Sequence, residues 1–324
     1  MAWLACQLGA FQLARRTDAY WLRETSPRPS PSWPVALWDL VRQLLSTWFY
    51  GENAYDQPQW ALLPLFKASL YVFMTLLATV NTTPRFRLLA EAILYLWSWA
   101  IGDGLVGLNV FAGMILAELS VPHPPEPRSL LGRVLPYPLA VLGLYLCSFP
   151  DQYQQQAAWS RQLWQIGLVI FPQNASMGRF YAGLGAQILC ASVLHSPSLR
   201  RALSHRALLW LGGVSFPLYL LHGPLMRSVM TYLLFGRAAL SFTPATLEDG
   251  SPDPDSLIPV PGFATLCLLL PVFFAFLLVV VRWWSVRVEP SFGAATDRLE
   301  SFAGSWGLSG GSLLPTAVAR KQAL

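Results

Sequence analysis

The stretch "VSFPLYLLHGP", Val214 to Pro224, places a histidine inside an apolar run that extends from Ala207 to Phe235. Besides the titratable His222, that run holds one formal charge, Arg227. An ionisable side chain at membrane depth is costly, and its default reading is functional. A neutral imidazole can take a proton from a hydroxyl, or donate one to a carbonyl or thioester. Tyr219 precedes His222 on the same helical face, and its hydroxyl is expected to fix the ring. Gly223 and Pro224 are expected to break the helix just after the histidine and to free backbone carbonyls there. The competing reading is a histidine that only serves the packing of a broken helix.

The elements that must hold these residues follow from composition. Of 324 residues, 54% are hydrophobic and 12% charged, against about 25% charged in a soluble domain. The mean hydropathy is +0.43. "GFATLCLLLPVFFAFLLVVV", Gly262 to Val281, has no charge and matches the ~20 residues that cross a bilayer core as a helix. The short alternating segments of a membrane barrel are absent. The sequence predicts an all-α fold, a polytopic transmembrane helix bundle with about seven spanning helices and interfacial amphipathic helices. The spanning candidates are 60–80, 86–101, 104–120, 133–149, 179–195, 208–234 and 262–281. Residues 1–32 read as an apolar stub and a proline-rich loop, 33–300 as the membrane domain, and 301–324 as a flexible tail. Within 33–50, Leu37, Leu40, Val41, Leu44, Leu45 and Trp48 share one helical face, the pattern of a helix lying in the interface.

Basic loops set orientation. Arg85 and Arg87, Arg128 and Arg133, Arg200, Arg201 and Arg206, and Arg282 and Arg287 are expected on the cytosolic side. The acidic loop with Glu248, Asp249, Asp253 and Asp255 alternates with them, so it and residues 33–59 are expected on the lumenal or external side. Asn174 and Asn81 both open glycosylation sequons. The charge pattern puts them on opposite sides, and Asn174 is the expected acceptor. The net charge of +5 reports this loop asymmetry; no basic, aromatic-interleaved tract points to nucleic acid. Cys6, Cys147, Cys190 and Cys267 form no CxxC, and no metal site is expected.

At the histidine block the sequence resembles the membrane acyltransferase-3 family, in its fungal branch. "LGGVSFPLYLLHGP" is similar to that family's "LG-[RK]-I-S-[FY]-x-L-Y-L-x-H-G-P". Three further blocks agree in order: "YDQPQWALLPLFKASLYVF" (55–73), "FAGMILAEL" (111–119) and "RWWSVRVEPSF" (282–292). The resemblance spans roughly residues 33 to 300. It implies a membrane-embedded O-acyltransferase that moves an acyl group from acyl-CoA, or a similar donor, to a hydroxyl of a sugar or secondary metabolite. His222 would be catalytic, Tyr219 would orient it, and no cofactor would stay bound. Partners would be the lipid bilayer, the acyl donor and the hydroxyl-bearing acceptor.

Two departures qualify the resemblance. The family's "WTIPVEF" carboxylate falls at Leu65, so Lys67, a further catalytic candidate, keeps its basic position without the acidic neighbour. In the resembled family an arginine and the histidine taken as the catalytic base come from its first helices; neither has a counterpart before residue 33, so the chain reads as N-terminally truncated and impaired. The alternatives are a non-catalytic membrane scaffold or truncated pseudoenzyme and, from another class, a small-molecule transporter using a mid-membrane histidine. Glu91 is expected to pair with Arg87 one helical turn away, and Glu118 to reach water. His123, His195 and His205 read as surface residues.

Overall fold

The computed structural model of the chain describes residues 1–120, 132, 134–245, 253 and 256–306. His123, Arg128, Arg133, Glu248, Asp249, Asp255 and the tail beyond Trp306 lie outside the described residues. Those described are helical, with no strand among them; one isolated bridge pairs Thr17 with Ile258.

Each of the seven segments expected to span coincides with a helix. They are α4 (Leu62–Thr79), α5 (Pro84–Ala100), α6 (Gly107–Ser120), α7 (Pro136–Cys147), α9 (Met177–His195), a compound helix from Arg206 to Ser241, and α14 (Phe263–Arg287). Local sequence explains their starts. Thr83 caps α5 by accepting from the Phe86 amide, and Pro84 supplies its first turn, where the missing N–H costs nothing. By length and composition, two helical stretches suffice to cross a membrane, Gln57–Thr79 and Phe263–Phe302; a third is added if the Arg206–Gly213 and Ser215–Ser241 pair counts as one span. Their apolar windows are only 6% and 17% buried for the first two, so these faces point outward rather than into a protein core.

The compound helix departs from expectation. It bends by 63° between α11 (Arg206–Gly213) and α12 (Ser215–Leu225), not at Gly223–Pro224. Pro224 sits inside α12, which passes directly into a π-helical turn, Met226–Met230, and then α13 (Thr231–Ser241). The proline removes one helical hydrogen bond, and the widened turn that follows lets the chain continue instead of breaking. Two hydroxyls serve the altered ladder: Ser228 donates to the Pro224 carbonyl and Thr231 to the Met226 carbonyl.

Three apolar clusters hold the molecule. Leu221, Met230, Leu234 and Phe235 pack with Phe273, Leu277 and Val281 of α14, and with Leu13 and Ile258. Leu108 of α6, Leu163 of α8 (Ala158–Ile170), and Phe180 and Tyr181 of α9 join Phe149 and Phe171. The third cluster contains Cys6 of α1 (Ala2–Gln7), Phe11 and Tyr55. Where α7 meets α9, a β-carbon on Gly185 would lie 2.5 Å from the Gly143 carbonyl oxygen, the close backbone approach that small residues permit between membrane helices.

The first 32 residues are less loop-like than expected. α1, a turn at Ala14–Arg16 and α2 (Tyr20–Glu24) fold back on the body. Trp3 donates to the Ala36 carbonyl, and Gln7 bonds Ser30 and Tyr55. In α3 (Trp33–Phe49), Leu37, Val41, Leu44, Leu45 and Trp48 are exposed, whereas Ala36 and Thr47 are buried. The polar side bonds inward: Asp39 accepts from Ser30, Gln43 from the Ala54 amide, and Thr47 from Asn53. Such an inverted amphipathic helix suits an apolar surrounding. At the other end, α15 (Glu289–Trp306) carries helix into the stretch expected to be tail. α10 (Pro197–Leu203) joins α9 to α11.

Candidate functional site

The site is built where α12 crosses the chain leading into α4. Asp56 precedes the turn Gln57–Ala61. Asn53 fixes that approach by accepting from the Tyr55 and Asp56 amides at 2.9 and 3.0 Å. Its amide nitrogen donates to Thr47 and to Gln59. Gln59 in turn donates to Asp56 Oδ2 at 3.2 Å.

The other carboxylate oxygen, Asp56 Oδ1, accepts from Arg227 Nη2 at 2.9 Å, and the two side chains are 2% and 4% exposed. Arg227 also donates from Nε to the Gly223 carbonyl at 3.2 Å and from Nη1 to the Thr25 carbonyl at 2.9 Å. Its guanidinium lies over the Phe11 ring, 4.9 Å from the centroid. The charge is therefore desolvated but met on several sides, the condition for a tolerable buried ion pair. Burial is the largest influence on the Asp56 carboxyl and raises its pKa; Arg227, the Gln59 hydrogen bond and His222 act in the lowering direction.

His222 is half-buried in α12. Its Nδ1 lies 2.6 Å from the Tyr219 carbonyl oxygen. A carbonyl only accepts, so this contact assigns a proton to Nδ1. No hydrogen bond engages Nε2 among the described residues. The adjacent Gly223 touches the carboxylate: a β-carbon there would stand 2.7 Å from Asp56 Oδ1. The carboxylate thus meets α12 at the residue after His222, and the guanidinium reaches it from one turn further on, in the π-helical turn.

Tyr219 is in the site, with a different task from the one expected. Its ring lies 5.7 Å from the His222 ring between centroids, but its hydroxyl donates to the Pro58 carbonyl at 2.6 Å. The side chain therefore ties α12 to the Asp56 turn, while its backbone carbonyl orients the imidazole. Lys67 is exposed on α4, and no hydrogen bond or ion pair joins it to His222 or Asp56. The carboxylate of this region comes from Asp56, not from the position of Leu65. Asn174 is exposed, and its amide donates to the Ile101 carbonyl at 3.2 Å beside the Gly102 turn.

Arg87 pairs with Glu118 of α6, Nη2 to Oε2 at 3.0 Å, not with its expected partner Glu91. Glu91 is fully buried with neither oxygen hydrogen-bonded. Near the main site, the Cys6 thiol donates to the Pro27 carbonyl, and burial pushes it up to about 11. It therefore stays protonated near neutrality and is no nucleophile there.

The sequence singles out His222 and Tyr219 as candidates but not Asp56. A signal was present: Arg227 is the only formal charge in its apolar run, and a buried guanidinium requires a carboxylate. Beside Asn53 a cleft of about 520 Å³ opens, lined by Arg42, Gln43, Gln57 and Trp60 among others. No family model matches the chain, and neither does any curated protein or solved structure.

Proposed function

We propose that the chain is a multi-pass membrane O-acyltransferase in which His222 acts as the general base. The observation that carries this reading is a His222 whose Nε2 makes no hydrogen bond among the described residues, next in the chain to Gly223, where the Asp56 carboxylate is pinned. Nε2 accepts the proton of an acceptor hydroxyl as its oxygen attacks the acyl carbonyl of a thioester such as acyl-CoA. Collapse of the tetrahedral adduct breaks the C–S bond. The leaving thiolate recovers the proton from the imidazolium, giving an ester and a free thiol. Asp56, whose carboxyl feels the charge of His222, favours the transient imidazolium electrostatically. Arg227 and Tyr219 are positioning residues, since their donors are spent on Asp56 and on backbone carbonyls. The polar cleft with Arg42, Gln43, Gln57 and Trp60 suits a sugar or alcohol acceptor.

The seven helices form the membrane body in this reading, with α3 in the interface and the Asp56 turn on the lumenal or external side. Support comes from the exposed apolar faces of α4 and α14 and from the inverted α3. Lys67 is left as a snorkelling side chain.

One observation favours the scaffold alternative. The three nitrogens of Arg227 are all bonded within the protein, so this cation is not free to stabilise charge on the acyl oxygen. Loss of one such donor costs ~10²–10³-fold in rate, and turnover is therefore expected well below the ~1 s⁻¹ of ordinary enzymes. The test incubates the purified chain with a panel of acyl-CoA donors and sugar or alcohol acceptors and follows thiol release. Slow, acceptor-dependent release that disappears in His222→Ala supports catalysis. No release above that of His222→Ala with any pair assigns the chain to the scaffold reading.

A further inference from the structure

A second polar feature lies along the segment that Arg227 grips at Thr25. Arg15, Arg23, Glu24, Ser26 and Arg28 line a cleft of about 790 Å³. It holds three guanidiniums and one carboxylate. Glu24 is taken by Arg23, Nε to Oε1 at 3.3 Å. Arg15 and Arg28 have no side-chain hydrogen bond or ion pair among the described residues. Bringing two like charges to one concavity without a counter-charge opposes folding. The repulsion acts at Arg15, whose pKa is lowered, first by burial and then by the facing Arg28.

The walls are fixed. Ser26 is buried and donates to the Leu22 carbonyl at 2.6 Å. The Thr25 carbonyl accepts from Arg227, and the Pro27 carbonyl from Cys6. The arginines are thus displayed by a backbone pinned from behind rather than by a free loop. Planar guanidinium forks match the oxygens of phosphate in pairs. On α2, Tyr20 and Trp21 are 59% and 72% exposed, the placement aromatic side chains take at headgroup level.

We propose that the cleft of Arg15, Arg23 and Arg28 binds a phosphate-bearing ligand. Arg15 and Arg28 supply the unpaired charge, and Arg23 can turn from Glu24 to the ligand. The site is independent of acyl transfer; it stands or falls on binding alone. Two sources present the same chemistry, a soluble diphosphate and a phosphate headgroup at the membrane surface.

The experiment uses the full chain in detergent, with tryptophan fluorescence read during titration with inorganic pyrophosphate. A parallel arm titrates the same protein with water-soluble short-chain phosphatidic acid and, as its control, short-chain phosphatidylcholine. Saturable pyrophosphate binding, weakened at least ~10-fold in Arg15→Gln and in Arg28→Gln but not in the control Arg201→Gln, supports a soluble ligand. Saturable binding of the phosphatidic acid but not of the phosphatidylcholine, tighter than that of pyrophosphate and weakened in the same two variants, supports a headgroup. Arg28 is exposed, so Arg28→Gln should fold even if Arg15→Gln does not, and unfolding midpoints check both. No binding in either arm, or binding equal in all variants, overturns the proposal.

Discussion

The Asp56 carboxylate rests on the α-carbon of Gly223, with room for nothing larger: an added β-carbon would meet Oδ1 at 2.7 Å. Asp56 is itself held by Arg227 and Gln59, so it cannot yield without breaking a buried ion pair. Gly223→Ala should therefore destabilise the chain by ~1–3 kcal/mol, the usual cost of overpacking. A thermal unfolding midpoint equal to that of the parent chain would show that the carboxylate moves freely. Gly236, whose β-carbon would meet nothing within 4 Å, provides the control as Gly236→Ala.

The Asp56–Arg227 pair should reveal itself by non-additivity. Arg227→Ala leaves a buried carboxylate alone, at a cost of ~3–5 kcal/mol, and Asp56→Ala does the same to the guanidinium. The double variant should lose clearly less than the sum of the two. Equal and additive losses in chemical unfolding would mean that the pair is solvated.

Acid should favour the wild-type chain relative to Asp56→Asn. The Asp56 carboxyl is raised from 3.8 in the fold, chiefly by burial. A folded pKa above the unfolded one means that the native state binds the proton more tightly. This contribution to stability is complete below 3.8 and is lost as pH rises through the folded pKa. Unfolding midpoints of both proteins, taken from neutral pH downward, should diverge in favour of wild type. A gap that stays constant, or that closes on acidification, would contradict the direction of the shift.

His222 and Tyr219 should separate in assays of thiol release. His222→Ala removes the base and should cost ~10²-fold or more in turnover with little change in expression. Tyr219→Phe removes the hydroxyl bond to Pro58 but keeps the backbone carbonyl that orients the ring. It should cost about 1 kcal/mol of stability and a smaller share of turnover. If Tyr219→Phe were as damaging as His222→Ala, the hydroxyl would be acting on substrate or imidazole rather than on Pro58.

Local periodicity and apolar run length point to the seven apolar helices, because the face and length of a helix are set by neighbouring residues, but not to α1, α2 or α15, which lie in stretches that read as stub, loop and tail. It also brings His222 and Tyr219 together, since they are three positions apart along α12. The Asp56–Arg227 contact joins positions far apart in the chain, and no local pattern encodes such a pairing. The same holds for Thr25, which serves Arg227 from a stretch that reads as a proline-rich loop. The effect of Pro224 was misjudged for a different reason. Proline composition signals a break, but a π-helical turn is an alternative repair that depends on the hydroxyls of Ser228 and Thr231 being at hand.

Topology has its own test in the two sequons. Asn174 and Asn81 are both exposed, so accessibility does not distinguish them; the charge pattern of the loops does. If the chain enters the secretory pathway, Asn174 should carry a glycan and Asn81 should not. The Asn174 amide donates to the Ile101 carbonyl, and a glycosylated amide keeps one N–H, so the turn at Gly102 can survive modification. Asn174→Gln places a longer side chain against that turn, where the Asn174 oxygen already lies 3.0 Å from the position of a Gly102 β-carbon. A modest loss of stability is expected with it, whereas Ser176→Ala removes the sequon and leaves the amide in place. The expected outcome is an endoglycosidase-sensitive mobility shift in the parent chain and in Asn81→Gln, absent in both Asn174→Gln and Ser176→Ala. A shift that survives those two variants and vanishes with Asn81→Gln would reverse the orientation and move the Asp56 turn, with His222 beside it, to the cytosolic side.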